Sequence, residues 1–465
     1  MARLASRNGA DLLAAGLAAA LLALASVIGF AINEDNRLIL RFPPIHAHWD
    51  PHLGPGTPAA LLVAALVVGY GPAVARRLRW RRLLAATWGG SMAWIWSLAL
   101  VDGWRDGIAN RFYQKSEYLQ TVNDEEAWSW AEIRHFLGTF TDHILMGAPE
   151  HNWPAHVAGH PPGATLTFVG LDRIGLGGGG WAAAFCVTVA ASTGVAVLVT
   201  VRALAGPGRG ERLARRAAPF LLLAPAAVWM GVSADGYFAA VAAWAVALLT
   251  LAATRTVRAP RAAALGSGLL FGLLLYLSYG LTLMAVVGVA VLLLARNPRP
   301  LPWVLLGIVP WVVAFTTAGF WWYEGYTTLV ERYYQGVAEH RPYAYFVWAN
   351  YAAQVLTGGL ATVAALRRTA CALPGATRGA LGALRAGRPT RGCAALLWLV
   401  AAAALAMLVA DLSGMSKAET ERIWLPFLVW LLPATALLPA RWARWWLAAQ
   451  AVLALTVNHL LVTHW

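Results

Sequence analysis

Apolar residues dominate thirteen stretches of the chain, at about 10–31, 58–75, 83–101, 181–201, 217–232, 236–253, 262–278, 280–295, 301–320, 347–366, 393–410, 424–439 and 443–461. Most approach the roughly 20 residues that a helix needs to cross the hydrocarbon of a bilayer. The runs are continuous, whereas a membrane barrel would alternate apolar and polar positions. The pattern therefore predicts an all-α, polytopic helical membrane protein with about 13 transmembrane helices, built as one domain over 1–465. The N-terminal run leads straight into further spans and shows no small-residue cleavage site, so it is expected to stay as the first helix.

The polar segments between these runs are unequal. Residues 32–57 form a loop rich in Pro, His and Gly, and 102–180 form the largest connection. Residues 321–346 concentrate Tyr, Trp and Glu, and 411–423 is a short polar turn. The basic, Gly/Ala-rich stretch 367–392 reads as a flexible cytoplasmic linker. No internal repeat is visible.

Composition narrows the class further. Hydrophobic residues make up 59% of the 465 positions and charged residues 12%, against about 25% charged in soluble domains. A soluble enzyme and a disordered chain are excluded. The three cysteines, Cys186, Cys371 and Cys393, provide neither a disulfide framework nor a C-x-x-C metal pattern. Lys115 and Lys417 are the only lysines, beside abundant Arg, Ala and Gly, which fits a bacterial gene of high GC content.

Charge then sorts the loops. With the N-terminus in the cytoplasm, the inner segments hold 25 of the 36 basic residues, including Arg76, Arg77, Arg81, Arg202, Arg255, Arg258, Arg261, Arg299 and six arginines from Arg367 to Arg391. Asp11 and Glu211 are the only acids on that side. This is the positive-inside pattern. It accounts for the net charge of +14 by orientation and contact with membrane lipids, so a nucleic-acid partner is not expected. All eleven histidines and nearly all the acids fall on the outer side, so a site using titratable groups is expected there.

The outer segments carry the candidate chemistry. Asn123-Asp124-Glu125-Glu126 reads as a helix start, with Asn123 as N-cap and Glu126 at the third helical position. Trp130, Ile133, Leu137 and Phe140 follow at helical spacing and mark an amphipathic outer juxtamembrane helix. Three successive carboxylates exceed what a cap needs. In His156-Val157-Ala158-Gly159-His160-Pro161-Pro162-Gly163 the two prolines fix an extended entrance to a helix and hold His160 there. A zinc pair from His156 and His160 is disfavoured by the intervening Gly and the prolines. His46, His48 and His52 with Asp50 form a second possible metal cluster, though a polar lid over the main site is the better reading. Ser233-Ala234-Asp235-Gly236 reads as an Asp-Gly turn between spans. Ser416 and Glu419 have capping-box spacing, which leaves Lys417, Glu421 and Arg422 for other work. The outer tyrosines and tryptophans, Trp321 to Tyr345, suit an interface belt or sugar stacking.

Asp124-Glu125 with Trp128, then Arg134, then His160-Pro161-Pro162-Gly163 resembles the motif of the GT-C membrane glycosyltransferases. The motif covers about forty residues and the topology most of the chain. The loop follows two more spans than is usual, and Glu126 leaves open which acid matches. Ser416 to Trp424 is similar to a further segment of bacterial members. The chain is also similar to actinobacterial membrane proteins described as methylthioxylose transferases of cell-envelope polysaccharide. The resemblance implies a polyprenyl-phosphate-linked sugar donor, a cell-envelope polysaccharide or glycolipid acceptor, and inverting displacement on the outer face of a bacterial cell membrane. It casts Asp124 and Glu125 as catalytic, Arg134, His160 and Asp235 as substrate-binding, and Lys417 and Arg422 as phosphate-binding. No cofactor is implied; a divalent metal is possible but not indicated. The competing classes are a transporter or flippase of lipid-linked sugars and a non-catalytic envelope-assembly protein. The nearly charge-free spans and lack of repeats weigh against the first, and the intact Asp-Glu against the second.

Overall fold

The computed structural model describes residues 2–123 and 128–463. The chain is almost wholly helical. The first helices are α1 (Ala2–Ala31), α2 (Thr57–Arg77) and α3 (Trp80–Ala99). Short pieces follow: α4 (Tyr118–Asn123), α5 (Trp130–Thr139), α6 (Ala155–Gly159) and α7 (Gly163–Arg173). The bundle continues with α8 (Gly179–Ala190), α9 (Thr193–Ala205), α10 (Arg209–Leu222), α11 (Ala227–Met230), α12 (Ala234–Thr254) and α13 (Pro260–Leu277). Then come α14 (Met284–Ala295), α15 (Leu301–Thr317), α16 (Trp322–Gln335), α17 (Tyr343–Gly358) and α18 (Leu360–Arg385). The chain closes with α19 (Cys393–Leu412), α20 (Thr420–Ile423), α21 (Leu425–Leu428) and α22 (Ala443–Leu460).

Among the described residues seven helices are long and apolar enough to cross a membrane, or nine if two bent pairs each count as one span. The bends are 72° between α15 and α16 and 112° between Leu425–Leu437 and Ala440–Leu460. The thirteen apolar runs are thus helical, but several are broken. The run 217–232 breaks after α10 at Pro225 and again at Gly231, which is extended. The run 347–366 breaks at Gly358-Gly359. There Gly359 adopts φ +79 and any added Cβ would overlap the Gln450 amide. Gln450 of α22 repairs the break: its Nε2 donates to the Gly358 carbonyl at 3.0 Å and its Oε1 accepts from the Ala361 N–H at 3.2 Å. Backbone groups freed inside hydrocarbon must find such partners.

The largest helix–helix contact joins α13 to α15. Gly268 faces the Val304 carbonyl and Gly307 faces that of Leu265, so the two backbones approach as closely as small residues allow. α12 is the most enclosed span and runs through the centre of the bundle. Its 21 residues extend about 31 Å, joining an end rich in acids and histidines to an end rich in arginines.

Two further expectations are corrected. The stretch 367–392 is helical as far as Arg385, as the end of α18. Its first arginines are held by Asp11, which is 2% exposed and pairs with Arg367 at 2.7 Å and Arg368 at 2.5 Å. The amphipathic helix expected from Asn123 starts at Trp130 instead. Asn123 ends α4, and Ser129 with Glu132 forms the capping box of α5. The fold class is all-α as expected; the strands among the described residues form one short antiparallel ribbon, β1 (Ala47–Trp49) with β2 (Leu461–Thr463).

Candidate functional site

The first turn of α12 carries Asp235. Ser233 caps that turn by accepting the Gly236 N–H at 3.4 Å, so this segment is a helix start and not the turn expected from Asp-Gly. Asp235 is buried, and its carboxylate accepts from Arg422 at 2.6 Å. Arg422 comes from α20, 187 residues later. Its second terminal nitrogen donates to His156 Nε2 at 2.9 Å and to Glu419 at 3.0 Å. A guanidinium can only donate. His156 Nε2 therefore accepts, and Nδ1–H is left to donate to Glu117, 2.7 Å away. Glu117, His156, Arg422 and Asp235 thus form one chain of charge-assisted hydrogen bonds. Together with Arg111 and Tyr118 they line a narrow cleft, closely filled by these side chains, with a free volume of about 10 Å³.

The loop that bears Arg422 is pinned from several sides. Asn350 of α17 donates to the Ser416 carbonyl at 2.7 Å, and Gln354 to that of Thr420 at 2.7 Å. Arg341 reaches the Lys417 carbonyl at 2.8 Å and Glu419 at 3.3 Å. Ala418 and Glu419 both have positive φ, +74 and +59. The capping box expected from Ser416 and Glu419 is therefore absent. Glu419 stands at the N-cap of α20 without a side-chain capping bond, because its carboxylate is taken by Arg341 and Arg422, with His46 3.8 Å away.

The electrostatics follow from burial and pairing. Burial works against the charged form of Arg422, but Asp235 and then Glu419 outweigh it and hold its pKa above the ordinary arginine value. Burial also works against ionised Glu419, yet His46, Arg341 and Arg422 together hold its pKa well below the carboxylate range. Glu421 is buried and accepts one bond, from the His46 backbone at 3.0 Å; burial raises its pKa. His160 follows the two-proline reading: it ends α6 and precedes α7, with Nδ1 2.8 Å from the His156 carbonyl and 3.1 Å from the Tyr118 hydroxyl. Burial lowers its pKa to about 4, so it is neutral at physiological pH.

The other sequence candidates do not all gather here. Asp124, Glu125 and Glu126 lie outside the described residues; Asn123, next to them, ends the helix α4 that begins at Tyr118. Arg134 is exposed on α5 and makes no hydrogen bond or ion pair among the described residues. Lys417 is engaged elsewhere: Nζ donates to the Ala338 carbonyl at 3.0 Å and lies 5.1 Å from the Tyr334 ring. It does not form a pair of cations with Arg422. The histidines of the 46–52 segment are spread among separate partners. His46 faces Glu419, and His52 binds Asp102 at 2.8 Å, which also holds Arg111 at 2.6 Å.

Among the described residues, potential ligand atoms converge within 4.8 Å at His143, Glu150 and His151. The two imidazoles there are stacked, 4.1 Å apart and 15° from parallel. A metal lies near the plane of each imidazole that binds it, so these stacked rings are not arranged to share an ion. Sequence reasoning missed Glu117, His156 as the partner of Arg422, Arg111 and Arg341. No family model, curated protein or solved structure matches the chain.

Proposed function

We propose that the chain is an integral membrane glycosyltransferase of the GT-C type, with about thirteen membrane passes. It moves a sugar from a polyprenyl-phosphate donor to a cell-envelope polysaccharide or glycolipid on the extracytoplasmic face of a bacterial membrane. The observation that carries this reading is the convergence of Glu117, His156, Asp235 and Arg422 on one cleft. Glu117, just ahead of α4, and His156, in α6 before His160-Pro161-Pro162, meet there. The four residues come from separate parts of the chain, and two of them, Asp235 and Arg422, are candidates by resemblance.

In this scheme Arg422 and Arg111, two guanidinium groups on the cleft wall, stabilise the phosphate as it gains charge on departure. Asp235 and Glu117–His156 hold Arg422 in place. Asp124 takes the proton from the acceptor hydroxyl as that oxygen attacks the anomeric carbon. Attack opposite the leaving phosphate inverts the centre and needs no covalent intermediate. Phosphate departs without a strong general acid. Glu125 and neutral His160 orient the base and the acceptor.

The test is turnover in lipid vesicles with a panel of synthetic polyprenyl-phosphate sugars, read as release of polyprenyl phosphate. Asp124→Asn should lower turnover by roughly two to four orders of magnitude, the range for losing a general base, while leaving thermal stability unchanged. Near-normal turnover of this variant beside an inactive Glu125→Gln moves the base by one residue. Passage of the donor across the vesicle without release of polyprenyl phosphate would overturn the transferase in favour of a flippase.

A further inference from the structure

At the arginine-rich end, about 31 Å along α12 from Asp235, two helices finish with the same device. Arg255 follows α12 at φ +55, and Arg296 follows α14 at φ +51. In each case the next N–H reaches back to close the helix: Thr256 to the Leu251 carbonyl and Asn297 to that of Leu292, both at 3.2 Å. Glycine is the usual residue at this left-handed position. A side chain there costs about 1 kcal/mol or more, and both positions carry arginine. Asn297 also donates to the Ala253 carbonyl at 2.8 Å, which ties the two helix ends together.

Each chain reversal then enters its next helix through a proline, Pro260 and Pro300, and α13 and α15 pack against one another. The result is a cleft of about 890 Å³ whose wall carries Arg255, Arg258, Arg261, Arg299 and Trp303. Arg261 lies over the Trp303 ring at 5.6 Å. The two acids of this end are already committed. Asp11 is held by Arg367 and Arg368, and Glu211 by Arg202 at 3.1 Å and Arg215 at 2.7 Å. Among the described residues none of the four cleft arginines has a carboxylate partner. Beside the cleft, Leu301, Leu305 and Leu306 of α15 are exposed, a surface suited to acyl chains.

We propose that this cleft binds the phosphate of a lipid headgroup, with the guanidinium groups around the phosphate and the acyl chains along the exposed face of α15. Uncompensated arginines supply charge and bidentate donors for phosphate oxygens. The apolar wall beside them favours an amphiphile over a soluble anion.

The experiment uses the full chain in phosphatidylcholine vesicles with and without phosphatidylglycerol, and in detergent with inorganic phosphate. Retained lipid is counted by native mass spectrometry, and the melting temperature is followed. Phosphatidylglycerol should be retained in preference to phosphatidylcholine and should raise the melting temperature. The Arg258→Gln/Arg299→Gln double variant should lose about 25-fold in retention, at roughly fivefold per basic residue at an anionic surface. Arg77→Gln/Arg81→Gln removes two exposed charges at the same end of the bundle and should retain lipid normally. Arg255→Gly relieves the left-handed strain, so it should fold at least as stably as the parent yet bind the lipid less. Equal losses in the two double variants would reduce the site to diffuse surface charge and overturn the proposal. Equal stabilisation by inorganic phosphate would overturn the lipid as occupant.

Discussion

Arg422 divides its guanidinium among Asp235, His156 and Glu419, all within 3.0 Å. Removing one member of a buried pair leaves the other charge uncompensated, at a cost of about 3–5 kcal/mol. Arg422→Gln is therefore expected to lower thermal stability strongly. Asp235→Asn should cost less, since Glu419 and His156 still face the arginine. The double variant should recover part of the loss, with a coupling of roughly 0.5–3 kcal/mol, as measured by thermal melting in detergent. Additive losses would mean that the pair contributes nothing as a unit. Arg422 and Asp235 were legible in the sequence as polar residues beside apolar runs. Their partners were not, because a pairing such as Glu117 with His156 joins segments 39 residues apart and leaves no local pattern. Glu419 shows the opposite error: its spacing from Ser416 fits a cap, but Arg341, 78 residues away, and Arg422, three residues on, bind its carboxylate more strongly than a backbone N–H would.

Hydropathy located the apolar helices but not their breaks. Residues 347–366 look like one span because the repair of the break at Gly358-Gly359 is supplied by Gln450, 92 residues from Gly358. The β1–β2 ribbon was invisible for the same reason: it has three residues per strand, from opposite ends of the chain. The break depends on its distant partner. Gln450→Leu keeps the volume but leaves the Gly358 carbonyl and the Ala361 N–H without that partner, at roughly 1–3 kcal/mol for each buried unsatisfied group. The variant should therefore melt well below the parent. Gln335→Leu, whose amide oxygen accepts from the Met146 N–H in an exposed setting, should change stability by less than about 1 kcal/mol, because water replaces the lost bond. A Gln450→Leu protein as stable as the parent would show that the two helix ends need no bridge.

Across the whole molecule, α12 sets the scale on which function and orientation separate: Asp235 stands at its start and Arg255 just past its end. The arginine count along the loops was the clearest signal in the sequence, since orientation during insertion depends on flanking charge rather than on tertiary contacts. The fold supplies a native probe of that orientation. Cys371, in α18, is exposed at the arginine-rich end, while Cys186 is buried. Asp142 is exposed in the loop region between α5 and α6. With the arginine-rich end in the cytoplasm, a membrane-impermeant thiol reagent should leave Cys371 unlabelled in intact cells and label it once the membrane is opened. Asp142→Cys, in a Cys371→Ser background, should label in intact cells without opening. The reverse pattern would put the Asp235–Arg422 cleft in the cytoplasm. Soluble nucleotide sugars are available there, so the need for a lipid-carried sugar would disappear. The phosphate cleft at the other end would remain, on the opposite leaflet, because its chemistry depends on the four arginines and not on the side they face.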